Sequence, residues 1–134
     1  MRGHQIVGLA AVCVAFSLSG AARAAETRSI AGSWRVQLDP KRVGEQERWF
    51  DRQLPGTIAL PGSTDLAHLG KPNPVKPTLD GLYRLYPYEG PAWYQYDLLI
   101  PGSWKGKRVS LVFERVHWET KVWIDGHEVP GVQD

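Results

Sequence analysis

The residues with the most evident chemical potential are two glutamates that flank one predicted turn, Glu114 and Glu119. Two carboxylates about 5–5.5 Å apart can act as nucleophile and acid/base in a hydrolytic reaction. Arg115 and Lys121 stand beside them, however, and exposed charges of opposite sign usually form solvated ion pairs. The sequence contains no serine elbow, H-E-x-x-H motif, phosphate-cradling glycine loop or cysteine nucleophile. We therefore favour a surface role for both glutamates and expect no catalysis by this chain alone.

Metal-binding and modification chemistry finds little support in the residue types. His117 and His127 lie near each other, but no third ligand stands at zinc spacing, so we expect no metal and no cofactor. The single cysteine, Cys13, could be a lipoprotein acylation site, but Val12 precedes it where a small residue is normally required. Asn73 is followed by proline and is therefore not a glycosylation sequon.

Aromatic residues are the remaining candidates for binding, because a flat ring can stack on a ligand. Trp93, Tyr94 and Tyr96 crowd the stretch GPAWYQYDLLIP at residues 90–101. Aromatics at strand spacing usually pack a core, and we favour that interpretation for most of this cluster. Trp93 and Tyr94 would project to opposite faces of a strand, so one of them could line a cleft. Trp118 lies in a short connection between strands and is a better candidate for an exposed stacking ring, although packing under that connection is the alternative.

These residues belong to one small globular domain that follows a secretory leader. The chain has 134 residues, of which 43% are hydrophobic and 22% charged. Residues 1–24 match a signal peptide: Arg2 supplies the positive region, residues 6–18 are apolar, and Ala22-Arg23-Ala24 suits cleavage. We expect a secreted or periplasmic bacterial protein. Without Arg2 and Arg23, fourteen basic residues face fourteen acidic ones, which argues against nucleic-acid or membrane binding.

The chain from residue 25 to residue 134 is dominated by strand patterns. Alternating apolar residues predict six strands, at 33–38, 57–60, 94–100, 109–113, 120–124 and 127–129. Trp34, Val36 and Leu38 would share one face of the first strand. Asp125-Gly126 is a strong hairpin signal because both residues tolerate positive φ.

Two segments of this part of the chain lie outside the strand pattern. Residues 44–54 could form a short helical turn, and the proline-rich residues 62–90 predict a long, ordered and packed loop. The pattern as a whole predicts an all-β antiparallel sandwich.

An ordered series of short motifs resembles the N-terminal sugar-binding domain of family 2 glycoside hydrolases, which include β-galactosidases, β-glucuronidases and β-mannosidases. The resemblance covers about residues 30–134. The motifs are Gly32-Ser33-Trp34, Leu60-Pro61-Gly62-Ser63, Gly90-Pro91-Ala92-Trp93-Tyr94, Ile100-Pro101, Trp104-Lys105-Gly106-Lys107, Leu111-Val112-Phe113-Glu114-Arg115-Val116 and Val122-Trp123-Ile124-Asp125-Gly126.

The resemblance implies a jelly-roll-like sandwich, similar to galactose-binding domains and incomplete at its C-terminus. In that family an immunoglobulin-like domain and a barrel follow, and the barrel carries the two catalytic glutamates. Carbohydrate is the implied ligand, with Trp118, Trp93 and Tyr94 as candidate contacts. Asn73 is a fourth, because an asparagine of this domain reaches the sugar pocket in some members. The chain would then be the front part of a secreted, β-galactosidase-like glycosidase. A free-standing carbohydrate-binding module and a non-functional gene remnant are the alternatives.

Overall fold

The computed structural model describes residues 25–77, 83–116 and 119–130. Its elements are β1 (Gly32–Leu38), a 3-10 helix (Trp49–Asp51), β2 (Gly56–Leu60), β3 (Ala92–Gln95), a second 3-10 helix (Gly102–Trp104), β4 (Trp123–Ile124) and β5 (His127–Glu128). All strand pairs are antiparallel, and the described residues contain no α-helix. The predicted all-β, antiparallel class is therefore confirmed. No helix in the described ranges is long and apolar enough to cross a membrane.

The larger sheet has three strands in the order β2-β1-β3. β1 is the central strand, because it pairs with β2 along one edge and with β3 along the other. Trp34 pairs with Ile58, and Val36 pairs with Gly56 on one side and Tyr94 on the other. Directly opposed residues share a face, so Val36 and Ile58, which are 2% and 4% exposed, lie on the same apolar face. The predicted inward face of β1 is confirmed at Val36.

The opposite face of this sheet is covered by the segment that follows β1. Gln37 and Gln95 point to that face and hold the segment by hydrogen bonds. Arg52 donates to Gln37 Oε1 at 3.1 Å, while the Leu54 amide donates to Gln95 Oε1 at 3.1 Å. Gln95 Nε2 donates in turn to the carbonyl of Arg52 at 3.1 Å. These contacts place Leu54 in the interior at 5% exposure.

The second sheet is the hairpin of β4 and β5, and its turn is the one that Asp125-Gly126 predicts. Asp125 has φ 49° and Gly126 has φ 78°, as a turn with two left-handed residues requires. The Val129 amide donates to the Val122 carbonyl at 2.8 Å, which extends the ladder by one further pair. Lys121 Nζ donates to Glu45 Oε1 at 2.7 Å and ties the hairpin to the segment after β1.

Several predicted strands are shorter than their sequence pattern, and one is wrong. β3 ends at Gln95 instead of residue 100, β4 comprises only the last two residues of 120–124, and β5 ends at Glu128. Residues 109–113 form no strand. Alternating apolar side chains predict a face, but a strand also needs a hydrogen-bonded neighbour. Within the described ranges residues 96–100 and 109–113 have none, and Leu99 and Val112 are 78% and 73% exposed.

The long loop is held together by hydrogen bonds in its two described parts, residues 62–77 and 83–90, but none of their residues is buried, so the predicted packing is only partial. Its first part folds into consecutive turns, in which the Ala67 amide donates to the Ser63 carbonyl at 3.0 Å and Leu69 donates to Thr64 at 2.8 Å. The second part returns alongside the first, because the Asn73 amide donates to the Leu85 carbonyl at 2.8 Å. The prediction of an ordered loop is confirmed for these residues, and the predicted helical turn within 44–54 is found as the 3-10 helix at Trp49–Asp51.

Candidate functional site

A buried carboxylate, Asp39, organises the end of β1. It is 2% exposed, and its two oxygens accept hydrogen bonds from the Val43 amide at 2.9 Å and the Gly44 amide at 2.8 Å. The indole of Trp93 also donates to it, at 3.2 Å. Burial alone would raise the pKa of Asp39, but these donors outweigh burial and hold its pKa below the ordinary value. Asp39 is therefore a structural anion that fixes Trp93.

The backbone of Asp39 connects the same point to the end of the long loop. Its amide donates to the Pro91 carbonyl at 2.9 Å and to the Tyr88 hydroxyl at 3.0 Å. The Tyr88 hydroxyl then donates to the Pro91 carbonyl at 2.6 Å. Burial raises the pKa of Tyr88, so the phenol stays protonated and keeps that donor. The hydrogen bonds among Asp39, Tyr88 and Pro91 thus join the end of β1 to the end of the long loop, just before β3 begins.

Trp93 lies inside an aromatic cluster. Its ring centroid is 4.8 Å from Trp123, 6.2 Å from Trp49 and 6.4 Å from Phe50. Phe50 and Trp123 stack with a centroid distance of 5.5 Å and an interplanar angle of 4°. The cluster packs the hairpin against the 3-10 helix and β3, which agrees with the expected scaffold role of Trp93. A sugar contact at Trp93 stays a prediction.

Tyr94 points to the other face of β3, as the alternation predicts. It is 42% exposed, and Tyr96, the next residue on that side of the chain, packs on Trp34 with centroids 4.9 Å apart and the rings tilted by 32°. Phe113 adds an edge contact to Trp34 at 6.4 Å. Tyr94 is therefore accessible to a ligand, and Trp93 and Tyr94 do not belong to one site. Ligand binding by Tyr94 stays a prediction.

Asn73 links the two described parts of the long loop, residues 62–77 and 83–90, which we call its first and second limbs. Its side-chain Nδ2 donates to the Arg84 carbonyl at 2.9 Å, and Oδ1 accepts from the Val75 amide at 3.0 Å. The Tyr83 hydroxyl donates to the Asn73 carbonyl at 3.3 Å. These bonds give Asn73 a structural role within the loop. Its predicted sugar contact remains untested.

A second polar and aromatic group lies at the base of the loop. His68 stacks on Tyr86 with ring centroids 4.5 Å apart and an interplanar angle of 25°. The Tyr86 amide donates to Asp65 Oδ1, so a carboxylate from the first limb orients the second. An open groove of about 560 Å³ lies beside the same turns, along β2, and Leu66 is at its rim with 77% exposure.

The remaining candidates fall into two groups. His117 and Trp118 lie outside the described residues, so the structure says nothing of the predicted stacking ring. Glu114 and Glu119 are exposed, and neither takes part in an ion pair among the described residues. Lys121, expected beside Glu119, pairs with Glu45 instead. Within the described ranges no group of three His, Cys, Asp or Glu side chains could hold a metal ion.

Sequence reasoning missed Asp39, Tyr88 and the His68–Tyr86 pair. Asp39-Pro40 predicts a turn, and that signal is correct, but it gives no sign that the carboxylate is buried. The pairing of His68 with Tyr86 joins residues from two limbs of an irregular loop, for which no periodic pattern exists. Only the abundance of tyrosines at 83, 86 and 88 indicated a packed loop.

Comparison with known families decides the identity of this domain. The model of the glycosyl hydrolases family 2 sugar-binding domain matches residues 27–134. The chain belongs to this family. The family domain is a β-sandwich similar to galactose-binding domains, which confirms the fold expected from the motifs. Its description as a sugar-binding domain implies carbohydrate as the ligand.

Two curated relatives of this family 2 domain are β-glucuronidases. The chain is 29% identical over 104 residues to the β-glucuronidase of Paenibacillus borealis, covering 78% of the chain. It is 25% identical over 116 residues to the β-glucuronidase of Sus scrofa, covering 80% of the chain. In both comparisons the match spans 16% of the relative's length. No solved structure matches significantly.

Proposed function

We propose that the chain is the N-terminal sugar-binding domain of a glycoside hydrolase that cleaves O-glycosidic bonds, with its catalytic barrel outside residues 1–134. The observation that carries this proposal is the family 2 match over residues 27–134, together with β-glucuronidase relatives of which it spans 16%. The structure supports the scaffold part of this role, because Asp39 is 2% exposed and its carboxylate accepts from two backbone amides and from the Trp93 indole.

The relatives favour a β-glucuronide as the substrate of the whole enzyme, in place of the β-galactoside expected from the motifs alone. Both relatives described above are β-glucuronidases. Since fold does not fix function, the sugar has to be established by assay.

Export is the second part of this proposal. The features that support it are the positive residue Arg2, the apolar stretch at 6–18 and the small residues around Arg23. We propose that this leader directs the protein to the periplasm or the exterior of a bacterial cell.

The experiment that tests this function assays the full 134-residue chain and reads its coding locus. We expect no hydrolysis of 4-nitrophenyl β-glucuronide or β-galactoside by the chain alone. In the same reading frame we expect further strands, followed by a barrel with two glutamates. Hydrolysis by the chain alone would contradict the proposal.

The two alternatives give different results in the same samples. A stop codon with no barrel nearby, combined with retardation in polysaccharide-loaded gels, would make the chain a free-standing binding module. A stop codon combined with rapid proteolysis of the purified chain would make it a non-functional remnant.

A further inference from the structure

The end of β3 and the chain that follows it carry most of the exposed apolar surface of the described residues. Fourteen large hydrophobic side chains are exposed there, and ten of them lie between Tyr94 and Val116. From their exposed fractions, these ten residues leave roughly 800 Å² uncovered, close to what each partner buries in a standard protein interface. Apolar surface of this extent usually marks an interaction site.

Part of this surface belongs to one face of the three-stranded sheet. Tyr96 and Phe113 both pack on Trp34 of β1, with ring centroids 4.9 Å and 6.4 Å away. Residues 109–113 therefore lie beside the face of β3 that carries Tyr94 and Tyr96. Leu98, which is 39% exposed, continues the alternation on that side of the chain.

The backbone of β3 has one open edge, because no strand of the described residues pairs with it on the side away from β1. At the end of the β1–β3 ladder the Asp39 amide donates to the Pro91 carbonyl at 2.9 Å. Hydrogen-bonded pairs alternate along an antiparallel ladder, so Gln95 also bonds towards β1. The amide and carbonyl of Tyr94, and of Tyr96 where the alternation continues, therefore point to the open edge.

Two contacts keep the chain beside β1 after β3 ends. Arg28, in the segment that precedes β1, donates to the Leu99 carbonyl at 2.9 Å, so this carbonyl also points to the β1 side. Asp97 pairs with Arg35 of β1 at 2.7 Å. The open edge thus extends from β3 to about residue 100, and an exposed apolar edge is a template for pairing with another strand.

The sequence of this edge is compatible with a copy of itself. A two-fold axis at Tyr96 would pair the edge antiparallel with its copy and place Tyr94 opposite Leu98 and Gln95 opposite Asp97. An axis at Asp97, the one charged residue between positions 92 and 101, would oppose two carboxylates, which is destabilising. Without residues 1–24 the chain carries fourteen basic and fourteen acidic residues, so no net charge keeps two copies apart.

We propose that the outer edge of β3, continued to Ile100, pairs antiparallel with the same edge of a second copy of this chain, with Tyr96 at the two-fold axis. The two three-stranded sheets would then form one continuous sheet, and the apolar face beside Trp34 would extend across the axis. This inference goes beyond the proposed function, because it depends on neither the sugar nor the reaction.

Sedimentation equilibrium of the full chain over a range of concentrations tests the proposal. We expect a dimer, with twice the 15.0 kDa mass of the chain. Leu98→Lys should weaken dimerisation about tenfold or more, because the opposed Tyr94–Leu98 contact is lost twice in each dimer. Leu66→Lys is the matched control: Leu66 is 77% exposed but lies in the long loop, so dimerisation should not change.

Cysteine cross-linking tests the register. In a Cys13→Ser background, which has no other cysteine, Tyr96→Cys should form a disulfide-linked dimer on mild oxidation. Its α-carbon would lie about 5.5 Å from that of its copy, within the range that a disulfide spans. Leu98→Cys should not cross-link, because it would be displaced from its copy by about 14 Å along the strand.

The outcomes separate this dimer from the other ways of covering the edge. A monomer at every concentration would overturn the proposal and leave the edge to strands of the longer polypeptide, without affecting the proposed enzyme. Association that Leu98→Lys leaves unchanged, or equal cross-linking of Leu98→Cys and Tyr96→Cys, would also overturn it. If Leu98→Lys loses the near-ultraviolet circular dichroism of the folded chain, the two cysteine variants decide.

Discussion

A single buried carboxylate, Asp39, joins three parts of the domain, and its effect can be measured directly. It accepts from two backbone amides and from the Trp93 indole, while its own amide reaches Tyr88 and Pro91. Charged hydrogen bonds in the interior contribute more than neutral ones because water cannot replace them.

We predict that Asp39→Asn lowers the free energy of unfolding by about 2 kcal/mol near neutral pH. Because the folded-state pKa of Asp39 lies below its unfolded value, the carboxylate stabilises the fold above about pH 4, the unfolded value. That stabilisation is lost as the pH falls through the folded pKa. The gap between wild type and Asp39→Asn should therefore narrow in acid.

Urea unfolding from about pH 7 to about pH 3 measures this gap. Asp97→Asn is the control, because Asp97 is an exposed acid whose pKa is lowered by its hydrogen bond with Arg35. It should change the neutral-pH stability much less. An Asp39→Asn variant as stable as wild type at neutral pH would show that the carboxylate does not anchor Trp93.

A substitution at Gly44 is a second test of the contact between Asp39 and Trp93. A β-carbon at this position would overlap the Trp93 indole and lie 2.9 Å from Asp39 Oδ2. Gly44→Ala should lower the free energy of unfolding by about 1–3 kcal/mol, as overpacking does, and shift the near-ultraviolet circular dichroism of the tryptophans. Gly102→Ala, where the added carbon meets nothing within 4 Å, should change neither.

At the scale of individual residues, the sequence predicted the general role of a residue better than it predicted the residues that it contacts. Trp93 was expected in the scaffold, and its place between Trp123 and Trp49 agrees with that expectation. Asp39 could not be identified, because an aspartate before proline predicts a turn whether its side chain is buried or exposed. The partners that bury it lie 4 to 54 residues away.

At the scale of elements the hairpin was predictable because its information is local. Asp125-Gly126 specifies a turn from two adjacent residues, and the structure has that turn. The patterns at 96–100 and 109–113 carry no information on which segment pairs with them. Their alternation therefore predicted strands, but these two segments pair with no strand among the described residues.

Substitutions at Gly126 and Gly106 separate two contributions to stability, the conformation of a left-handed turn residue and the packing of the hairpin. It has φ 78°, and an added β-carbon would lie 2.7 Å from Asp51 Oδ1. Gly106 has nearly the same conformation, φ 76°, with nothing within 4 Å. Gly106→Ala should cost about 1 kcal/mol from conformation alone, and Gly126→Ala about 1 kcal/mol more from the contact. Thermal unfolding of the two variants measures the difference, and equal losses would show that the hairpin does not pack on Asp51.

At the scale of the whole molecule the fold class and family followed from the sequence, whereas the geometry of the candidate sites did not. Short motifs in a fixed order identified the family, and the family match confirms them. Of the four predicted sugar contacts, the three that the structure describes have different surroundings: Trp93 is packed, Tyr94 is on the opposite face of β3, and Asn73 clamps a loop. A binding surface depends on how loops meet, which side-chain periodicity does not encode.

The central claim is that this domain belongs to a larger glycosidase, and an immunoblot combined with an in-gel activity stain tests it most directly. Antibodies against residues 25–130 would be applied to fractions of the producing cells, separated in gels that contain a fluorogenic β-glucuronide. We predict that the antigen coincides with a hydrolytically active band well above the 15.0 kDa of this chain. An antigen found only at or below that mass, in bands without glycosidase activity, would contradict the account.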